Sequence, residues 1–195
     1  LSSHGAACLN SKDGVLQPNS NGNGIVNLVH DPWRPVPSRG GHLSTNPGPT
    51  ERGDLDNRPD VAVFTTQPLK NFLQLKGFPR LLVTAHSHQT GFDLCVALSV
   101  VDPEKRKVTQ LSTGFTRIQH DPLKPIQRQV LLQPIFADIK PQEHLRISIA
   151  AAAWPAIGVN PGQEGSSCKA PGPHCNVITI KFVLANSSLE ILPFP

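Results

Sequence analysis

The sequence predicts an all-β protein, a jelly-roll β-sandwich with an extended N-terminal arm. Twenty prolines among 195 residues are about twice the usual ~5% and argue against long helices. From Val61 onward, apolar runs of strand length are separated by turn signals, without helical periodicity between them. Many short strands at this spacing are typical of a β-sandwich, and about 130 residues with eight or more strands suit a jelly roll.

The first part of the chain lacks this pattern. Residues 17–24, QPNSNGNG, are a polar run of turn residues, and residues 31–41, DPWRPVPSRGG, form a connector that proline stiffens. We therefore predict an irregular arm and Pro-rich connector over residues 1–59 and the jelly-roll sandwich over residues 60–195. Short strands are expected within the arm at residues 1–4 and 25–29.

The strands of the sandwich differ in how many faces they bury. Residues 92–101, FDLCVALSVV, are apolar on both faces, which is typical of a central strand. Residues 145–149 and 178–184 alternate apolar and polar side chains, the pattern of a strand with one buried face. Further strands are predicted at residues 61–66, 80–86, 107–112, 115–119, 128–136 and 188–192.

The charge pattern argues against nucleic acid as a partner. The net charge of +4 is modest, and the chain has no Tyr. A nucleic-acid surface usually concentrates positive charge and interleaves it with aromatic side chains. Here the Lys and Arg residues are scattered, and Trp33 and Trp154 lie far apart.

No membrane partner is expected either. The sequence has no apolar run approaching the ~20 residues that span a bilayer, and no charged-then-apolar leader. The absence of Met predicts a piece cut from a longer polypeptide. We expect this piece to be soluble and cytoplasmic.

The four cysteines do not make the dense disulfide framework of a small secreted domain. Cys95 lies in an apolar strand and is predicted to be a buried thiol. Cys168 and Cys175 flank a turn-rich loop, where they form either a small disulfide in an oxidising compartment or two reduced thiols. We favour reduced thiols, because the chain carries no secretory pattern.

The residues of this chain indicate no catalysis. A nucleophile elbow needs Gly-x-Ser-x-Gly, so that a tight turn exposes the hydroxyl. Residues 165–168, GSSC, lack the second Gly. His30 lies beside Asp31 in the connector and is expected to be a solvated loop imidazole.

A metal or cofactor site is not predicted. His86 and His88 would share one face of a strand, a spacing able to hold a metal ion. No third ligand is evident nearby in sequence, so polar residues at a strand end are the better interpretation.

Several segments, taken in order, resemble one family. Residues 31–41 are similar to DP-x-x-PVP-x-x-GG, residues 56–58 to DQR, and residues 60–69 to the strand DVL-x-[YF]-x-T-x-PL. Later motifs of the same family are resembled at residues 94–103, 143–155 and 188–195. On this order and spacing, the chain resembles the C-terminal domain of the X-Pro dipeptidyl-peptidase, cocaine esterase and acyl-esterase (CocE/NonD) family of serine hydrolases.

Two segments depart from the family pattern. Residues 89–93, QTGFD, stand in place of D-T-D-F, and residues 151–155, AAAWP, in place of S-S-N-F-P. These segments contain Phe92 and Trp154, the two candidate residues for a domain interface or pocket rim. Trp154 would either present its aromatic ring to a partner or cover the edge of the core. Both placements are possible, because each leaves one end of the indole in contact with water or a hydrogen-bonding partner.

The resemblance implies a non-catalytic accessory domain. In this family, an N-terminal α/β-hydrolase domain carries the Ser, Asp and His of the triad. The β-domain packs on it, and in some members it helps to shape the acyl pocket or to build the oligomer. The expected partners are therefore the hydrolase domain of the same parent chain and further copies in a homo-oligomer, and this chain alone should be inactive. The fold that the resemblance implies is a galactose-binding-domain-like jelly roll, and jelly rolls of this type often bind carbohydrates. The alternative is therefore a free-standing carbohydrate-binding module, by analogy of fold only.

Overall fold

The computed structural model describes residues 1–18, 21–41, 44, 46–163 and 172–194. These residues form two antiparallel sheets and one short helix, α1 (Gly53–Asp56). The strands are β1 (Ile25–His30), β2 (Thr50–Glu51), β3 (Val61–Thr65), β4 (Leu73–Ser87), β5 (Phe92–Asp102), β6 (Lys107–Ile118), β7 (Ile126–Leu131), β8 (Ile135–Ile139), β9 (His144–Ala150) and β10 (Ile178–Leu192).

The two sheets make a sandwich. Sheet I has the order β1-β10-β4-β7, and β8 pairs with the first part of β4. Sheet II has the order β2-β6-β5-β9-β3. The predicted all-β sandwich is thereby confirmed, whereas the jelly-roll topology stays a prediction.

The main core lies between the sheets. Phe182 of β10 and Leu81 of β4 belong to the same buried cluster as Phe64 of β3 and Leu98 of β5. Each side chain of this kind contributes roughly 1.5–3 kcal/mol when it is fully buried. Strand β5 pairs with β6 on one side and β9 on the other, as expected for the central strand.

Three strands are longer than predicted. Strand β4 begins at Leu73 rather than at residue 80, and β6 joins the strands predicted at residues 107–112 and 115–119. Strand β10 runs from Ile178 to Leu192, although the sequence suggests two separate strands. Its pairing with β4 shifts register between Val183 and Ser188, where Asn186 has a φ of 60°. A bulge of this kind interrupts the apolar alternation without ending the strand.

The single strand predicted at residues 128–136 is wrong, because the chain forms β7 and β8 there. Both strands pair with β4, but with different parts of it. Between them, the Leu132 N–H donates to the Pro79 carbonyl at 2.8 Å, and the Gln133 N–H donates to the Thr113 carbonyl of β6 at 2.9 Å. The chain therefore leaves sheet I for β6 before it returns as β8.

The N-terminal arm packs on the sandwich. Leu1 and Ala7 belong to the main core. The Val63 N–H donates to the Ala7 carbonyl, and the Thr65 N–H donates to the Gly14 carbonyl, both at 3.0 Å. The arm thereby covers the edge of β3, which would otherwise present unpaired backbone groups.

We predict that Gly14→Ala destabilises the fold, because a Cβ at Gly14 would lie 1.8 Å from the Val63 carbonyl oxygen. The clash is with backbone, so relief requires the arm to move away from β3, at a cost of roughly 2–3 kcal/mol. Urea unfolding followed by circular dichroism measures this. Gly172→Ala is the matched control, since a Cβ there meets no atom of the described residues within 4 Å. Equal stability of the two variants would contradict the packing of the arm.

Candidate domain interface

The connector covers the outer face of sheet II. Val36 packs against Val61 and Val63 of β3, Cys95 of β5 and Ala150 of β9 in a second apolar cluster. Cys95 is buried, as predicted, and burial raises the pKa of its thiol well above its ordinary value. Sheet II is therefore buried on both faces, one against sheet I and one under the connector.

Trp154 fastens the connector through its backbone. Its N–H donates to the Val36 carbonyl at 2.9 Å, and its carbonyl accepts from the Ser38 N–H at 2.6 Å. The side chain is half-buried, as an indole between core and solvent should be. Trp33, three residues before Val36, is 60% exposed.

Phe92 lies elsewhere. Its side chain is fully buried in the main core, and the Arg128 guanidinium lies 5.9 Å from the centre of its ring. It therefore offers no side-chain surface at a rim, and of the two predicted candidates Trp154 alone keeps exposed surface.

A buried ionic network anchors the end of the connector. The Asp56 side chain has no exposed area. Its Oδ1 accepts from Arg52 Nε at 2.9 Å and from Ser148 Oγ at 2.8 Å, and its Oδ2 accepts from Arg146 Nη1 at 3.2 Å. One carboxylate thus joins α1 to two residues of β9.

The network extends to β6. Arg52 Nη1 donates to Gln110 Oε1 at 2.6 Å, and Gln110 Nε2 donates to the Arg39 carbonyl at 2.6 Å. Arg146 Nε also donates to Thr65 Oγ1 at 3.0 Å. Because each charged group has hydrogen-bonding partners, the desolvation cost of burying it is offset.

This network corrects one expectation. The alternation at residues 145–149 predicts one buried face, with Arg146 and Ser148 in solvent. Both faces of β9 are in fact covered, since Ser148 is 1% exposed and the Arg146 side chain 12%. Two features of the sequence could have predicted this burial. They are the two polar residues, Arg146 and Ser148, within an otherwise apolar strand and the acidic Asp56 just before β3.

Two further ion pairs fix the loops around the connector. Arg58 binds Asp60 through Nε at 2.8 Å and Nη2 at 2.6 Å, and Nη2 also donates to the Arg34 carbonyl at 2.9 Å. Asp93 accepts from Arg117 Nε at 3.0 Å and Nη2 at 2.8 Å.

Asp93 also orders the loop after Trp154. Its Oδ1 accepts from Asn160 Nδ2 at 2.8 Å, and Asn160 Oδ1 accepts from the Gly162 N–H at 3.0 Å. Arg117 donates to the Gly158 carbonyl on the same loop. The loop is therefore held from the sheet at several points.

A small cavity remains between the connector and sheet II. Its volume is about 70 Å³, and Cys95, Ala97, Phe115, Ala150 and Ile157 line its apolar part. The space suits a few water molecules or one apolar side chain. It is small for a substrate, because ligand pockets usually measure about 300–1,000 Å³.

Comparison with known proteins decides the family. Residues 1–186 match the family model of the X-Pro dipeptidyl-peptidase C-terminal non-catalytic domain. The chain belongs to this family. The motif residues by which it resembles the family include Val36, Asp56 and Arg58, which hold the connector on sheet II.

Solved structures share this fold. An α-amino acid ester hydrolase labelled with selenomethionine has a TM-score of 0.75 and 21% identity, over 86% of this chain and 32% of that one. An aminopeptidase from the marine sediment archaeon Thaumarchaeota archaeon has a TM-score of 0.72 and 19% identity, over 86% and 33%. A CocE/NonD family hydrolase from Staphylococcus aureus has a TM-score of 0.57 and 13% identity, over 94% and 35%.

At these identities the likeness shows the fold alone, and this chain covers about a third of the length of each of these structures. A comparison with curated proteins gives no match.

The expected histidine pair lies on sheet I. His86 and His88 border a wide depression of about 400 Å³ with Lys181, the cross-strand neighbour of His86. His88 Nδ1 lies 3.1 Å from the Thr179 N–H, which donates to it. Among the described residues, no three His, Cys, Asp or Glu side chains cluster as metal ligands would.

His30 differs from its prediction. It is 1% exposed rather than solvated, because it points inward at the end of β1. Neither ring nitrogen has a hydrogen-bonding partner among the described residues. Burial lowers the pKa of His30 below its ordinary value of 6.5, against the opposing influence of Asp93, Asp60 and Asp31.

Other predicted features fall outside this region. Cys8 is buried, and burial raises its pKa to about 12. Cys175 is partly exposed. The segment 165–168, which includes Cys168, lies outside the described residues. The state of the Cys168–Cys175 pair therefore stays a prediction. In the part of the chain that is described, no helix is long and apolar enough to cross a membrane.

We predict that Asp56→Asn destabilises the protein by roughly 3 kcal/mol, because Arg52 and Arg146 would stay buried without their shared counter-ion. Chemical denaturation monitored by tryptophan fluorescence measures the loss. Asp54→Asn is the control: Asp54 pairs with Arg39 at the surface, where it is 60% exposed, and its loss should cost less than about 1 kcal/mol. A similar small loss at Asp56 would contradict the anchoring role.

We also predict that the free energy of unfolding falls as the pH falls below 6.5. The pKa of His30 is lower in the folded than in the unfolded protein, so only the unfolded state gains this proton in that window. Above about pH 5.5, Asp and Glu carboxylates with ordinary pKa values stay ionised, so they do not contribute to the change in the free energy of unfolding. His30→Leu should flatten the slope between pH 8 and 5.5, whatever its stability at pH 8. An unchanged slope would contradict a buried, neutral His30.

Proposed function

We propose that this chain is the non-catalytic accessory domain of a serine hydrolase of the acyl-esterase or X-Pro dipeptidyl-peptidase type. It packs on an N-terminal α/β-hydrolase domain of the same parent chain and helps to shape one side of the substrate pocket. The family supports this proposal, as does the share of about a third that the chain covers in the solved hydrolases and aminopeptidase.

The observation that carries the proposal is the fastened connector. A segment rich in Pro and Gly would ordinarily act as a spacer. Here Asp56, Arg58 and the Trp154 backbone fix it on sheet II, and it presents the exposed Trp33 on its outer side. Because this segment is already ordered on sheet II, docking it against a partner costs little further conformational entropy, which favours one fixed orientation.

Trp33 and Trp154 are the anchors that we assign to this interface. Large aromatic side chains near the centre of an interface carry much of its binding energy. Trp33 is 60% exposed and Trp154 half-buried, so both keep surface for a partner. The small cavity between the connector and sheet II, which Val36 and Ala153 help to line, has room for one apolar side chain of the hydrolase domain.

The alternative of a free-standing carbohydrate-binding module gains no specific support from the described residues. A homo-oligomer and a cytoplasmic location both stay predictions.

We predict that the purified chain hydrolyses neither p-nitrophenyl butyrate nor an X-Pro p-nitroanilide. When the hydrolase segment of the same reading frame is expressed separately, the chain should bind it in isothermal titration calorimetry. Trp33→Glu should weaken that binding at least about tenfold, the effect of removing a central aromatic anchor. Phe72→Glu is the control, because Phe72 is similarly exposed but lies beside sheet I.

Two outcomes would contradict the proposal. One is turnover by the chain that is lost when a single internal Ser is replaced. The other is an absence of binding between the two segments, or binding that Trp33→Glu leaves unchanged.

A further inference from the structure

The depression around the histidine pair on sheet I has the size of a ligand site. Its volume of about 400 Å³ falls within the roughly 300–1,000 Å³ of small-molecule sites. Residues of β1, β4 and β10 line it, together with Leu123 from the loop between β6 and β7. We call it the sheet I depression and define it by Asn27, His86, His88, Leu123, Thr179 and Lys181.

Three of its polar side chains lie in one row across the sheet. Lys181 of β10 is paired with Asn27 of β1 on one side and with His86 of β4 on the other. Directly opposed residues of an antiparallel sheet share a face, with their Cβ atoms about 4.5–5.5 Å apart. This face is the outer one, because Ile180 and Phe182, the neighbours of Lys181, are fully buried. The three polar side chains therefore form one contiguous group.

A second row extends this group. Thr179 lies two residues before Lys181 on the same face of β10. Its N–H donates to His88 Nδ1 at 3.1 Å, whereas its carbonyl is farther from Nδ1, at 3.5 Å. A backbone N–H can only donate, so Nδ1 is the acceptor and the proton of the neutral imidazole is on Nε2.

The turn after β4 fixes the position of His88. The Ser87 side chain accepts from the Gln89 N–H at 2.8 Å and donates to the Gln89 carbonyl at 2.6 Å. His88 is thus held between this turn and the Thr179 backbone, and its Nε2–H is the donor that stays available in the depression.

The other polar side chains of the depression are unpaired. Within the described residues, no hydrogen bond or ion pair engages the side chains of Asn27, His86 or Lys181. No Asp or Glu is among the described residues that line the depression, so the ammonium of Lys181 has no counter-ion there. A metal ion would not suit this set, because neither ring nitrogen of His88 has a free lone pair to coordinate it. The donors and the positive charge suit an anionic acceptor.

Leu123 gives the depression an apolar side. Its side chain is 51% exposed, and its φ of 60° is uncommon for a bulky residue. The Leu123 N–H donates to Asp121 Oδ1 at 2.6 Å, and Arg128 Nη2 donates to Asp121 Oδ2 at 2.7 Å. The buried carboxylate of Asp121 therefore fixes the backbone from which the exposed leucine projects.

We propose that the sheet I depression binds a carboxylate that carries a short apolar chain. The carboxylate accepts from Lys181, from the Nε2–H of His88 and from the Asn27 amide, and the apolar chain contacts Leu123. Both oxygens of a carboxylate accept hydrogen bonds, and those from an ammonium are stronger than bonds between neutral groups. One ammonium beside neutral imidazoles balances a single negative charge, which favours a carboxylate over a doubly charged phosphate.

The proposal does not rest on the proposed function. The hydrolase domain is assigned to the connector on sheet II, whereas this site lies on the outer face of sheet I. Binding of a small carboxylate is measured on the chain alone, so the two proposals fail separately.

Two-dimensional NMR of the isotope-labelled full chain during titration with butyrate at neutral pH tests the proposal. We expect saturable shifts of the Asn27, Thr179 and Lys181 amides. Lys181→Gln should weaken binding at least about tenfold, because a charged hydrogen-bonding partner is lost. Lys107→Gln is the matched control, since Lys107 is also an exposed strand lysine but lies on sheet II. Urea midpoints verify that the variants remain folded.

A comparison of ligands tests the role of Leu123. Butyrate should bind more tightly than acetate, by up to about tenfold for its additional methylene groups. Leu123→Asn should remove this preference and keep the binding of acetate, because Asn tolerates a positive φ but offers no apolar surface.

The absence of saturable shifts in the depression would overturn the proposal, as would equal weakening by Lys181→Gln and Lys107→Gln. Tighter binding of inorganic phosphate than of butyrate would show that the site selects a different anion. Zinc ions that shift these amides where butyrate does not would show a metal site instead. Either result would also refute the carboxylate assignment.

Discussion

The buried carboxylate of Asp56 is the interaction on which the arrangement of this domain depends. It accepts hydrogen bonds from Arg52, Arg146 and Ser148 and has no exposed area. Such a group is costly to bury alone, and its partners would be equally costly without it. The network therefore forms only when α1, β6 and β9 occupy these relative positions, which makes the connector part of the fold.

Two consequences follow from this constraint. Sheet II is covered on both faces, so some polar side chains of its outer face are buried. The connector is held in place on that face, and its Trp33 side chain is exposed. The described residues place no such cover on sheet I, and its outer face keeps Leu131 and Phe136 exposed. The two faces of the sandwich are therefore chemically different. We propose that the side covered by the connector is the one that binds the hydrolase domain.

Much of the fold was predictable because apolar periodicity dominates it. The central strand β5 and the first strand, β1, were identified from local pattern alone. The continuity of β10 across its bulge and the division between β7 and β8 were not, since both depend on pairing with β4. The interface was harder still. The sequence indicates Trp154 as a candidate because it is aromatic, but it does not predict the backbone hydrogen bonds of Trp154 to the connector. The burial of His30 and the partners of Asp56 are not predictable either, because they depend on contacts between distant segments.

Native-state hydrogen exchange tests most directly whether Asp56 holds the connector. The N–H groups of Ser38 and Arg52 donate to the carbonyls of Trp154 and Val108, so both should exchange slowly in the native protein. In Asp56→Asn they should lose protection, while the β4 amides paired with β10 stay protected, because local opening spares the core. Fast exchange of the connector amides in the native protein, or protection unchanged by the substitution, would contradict this account.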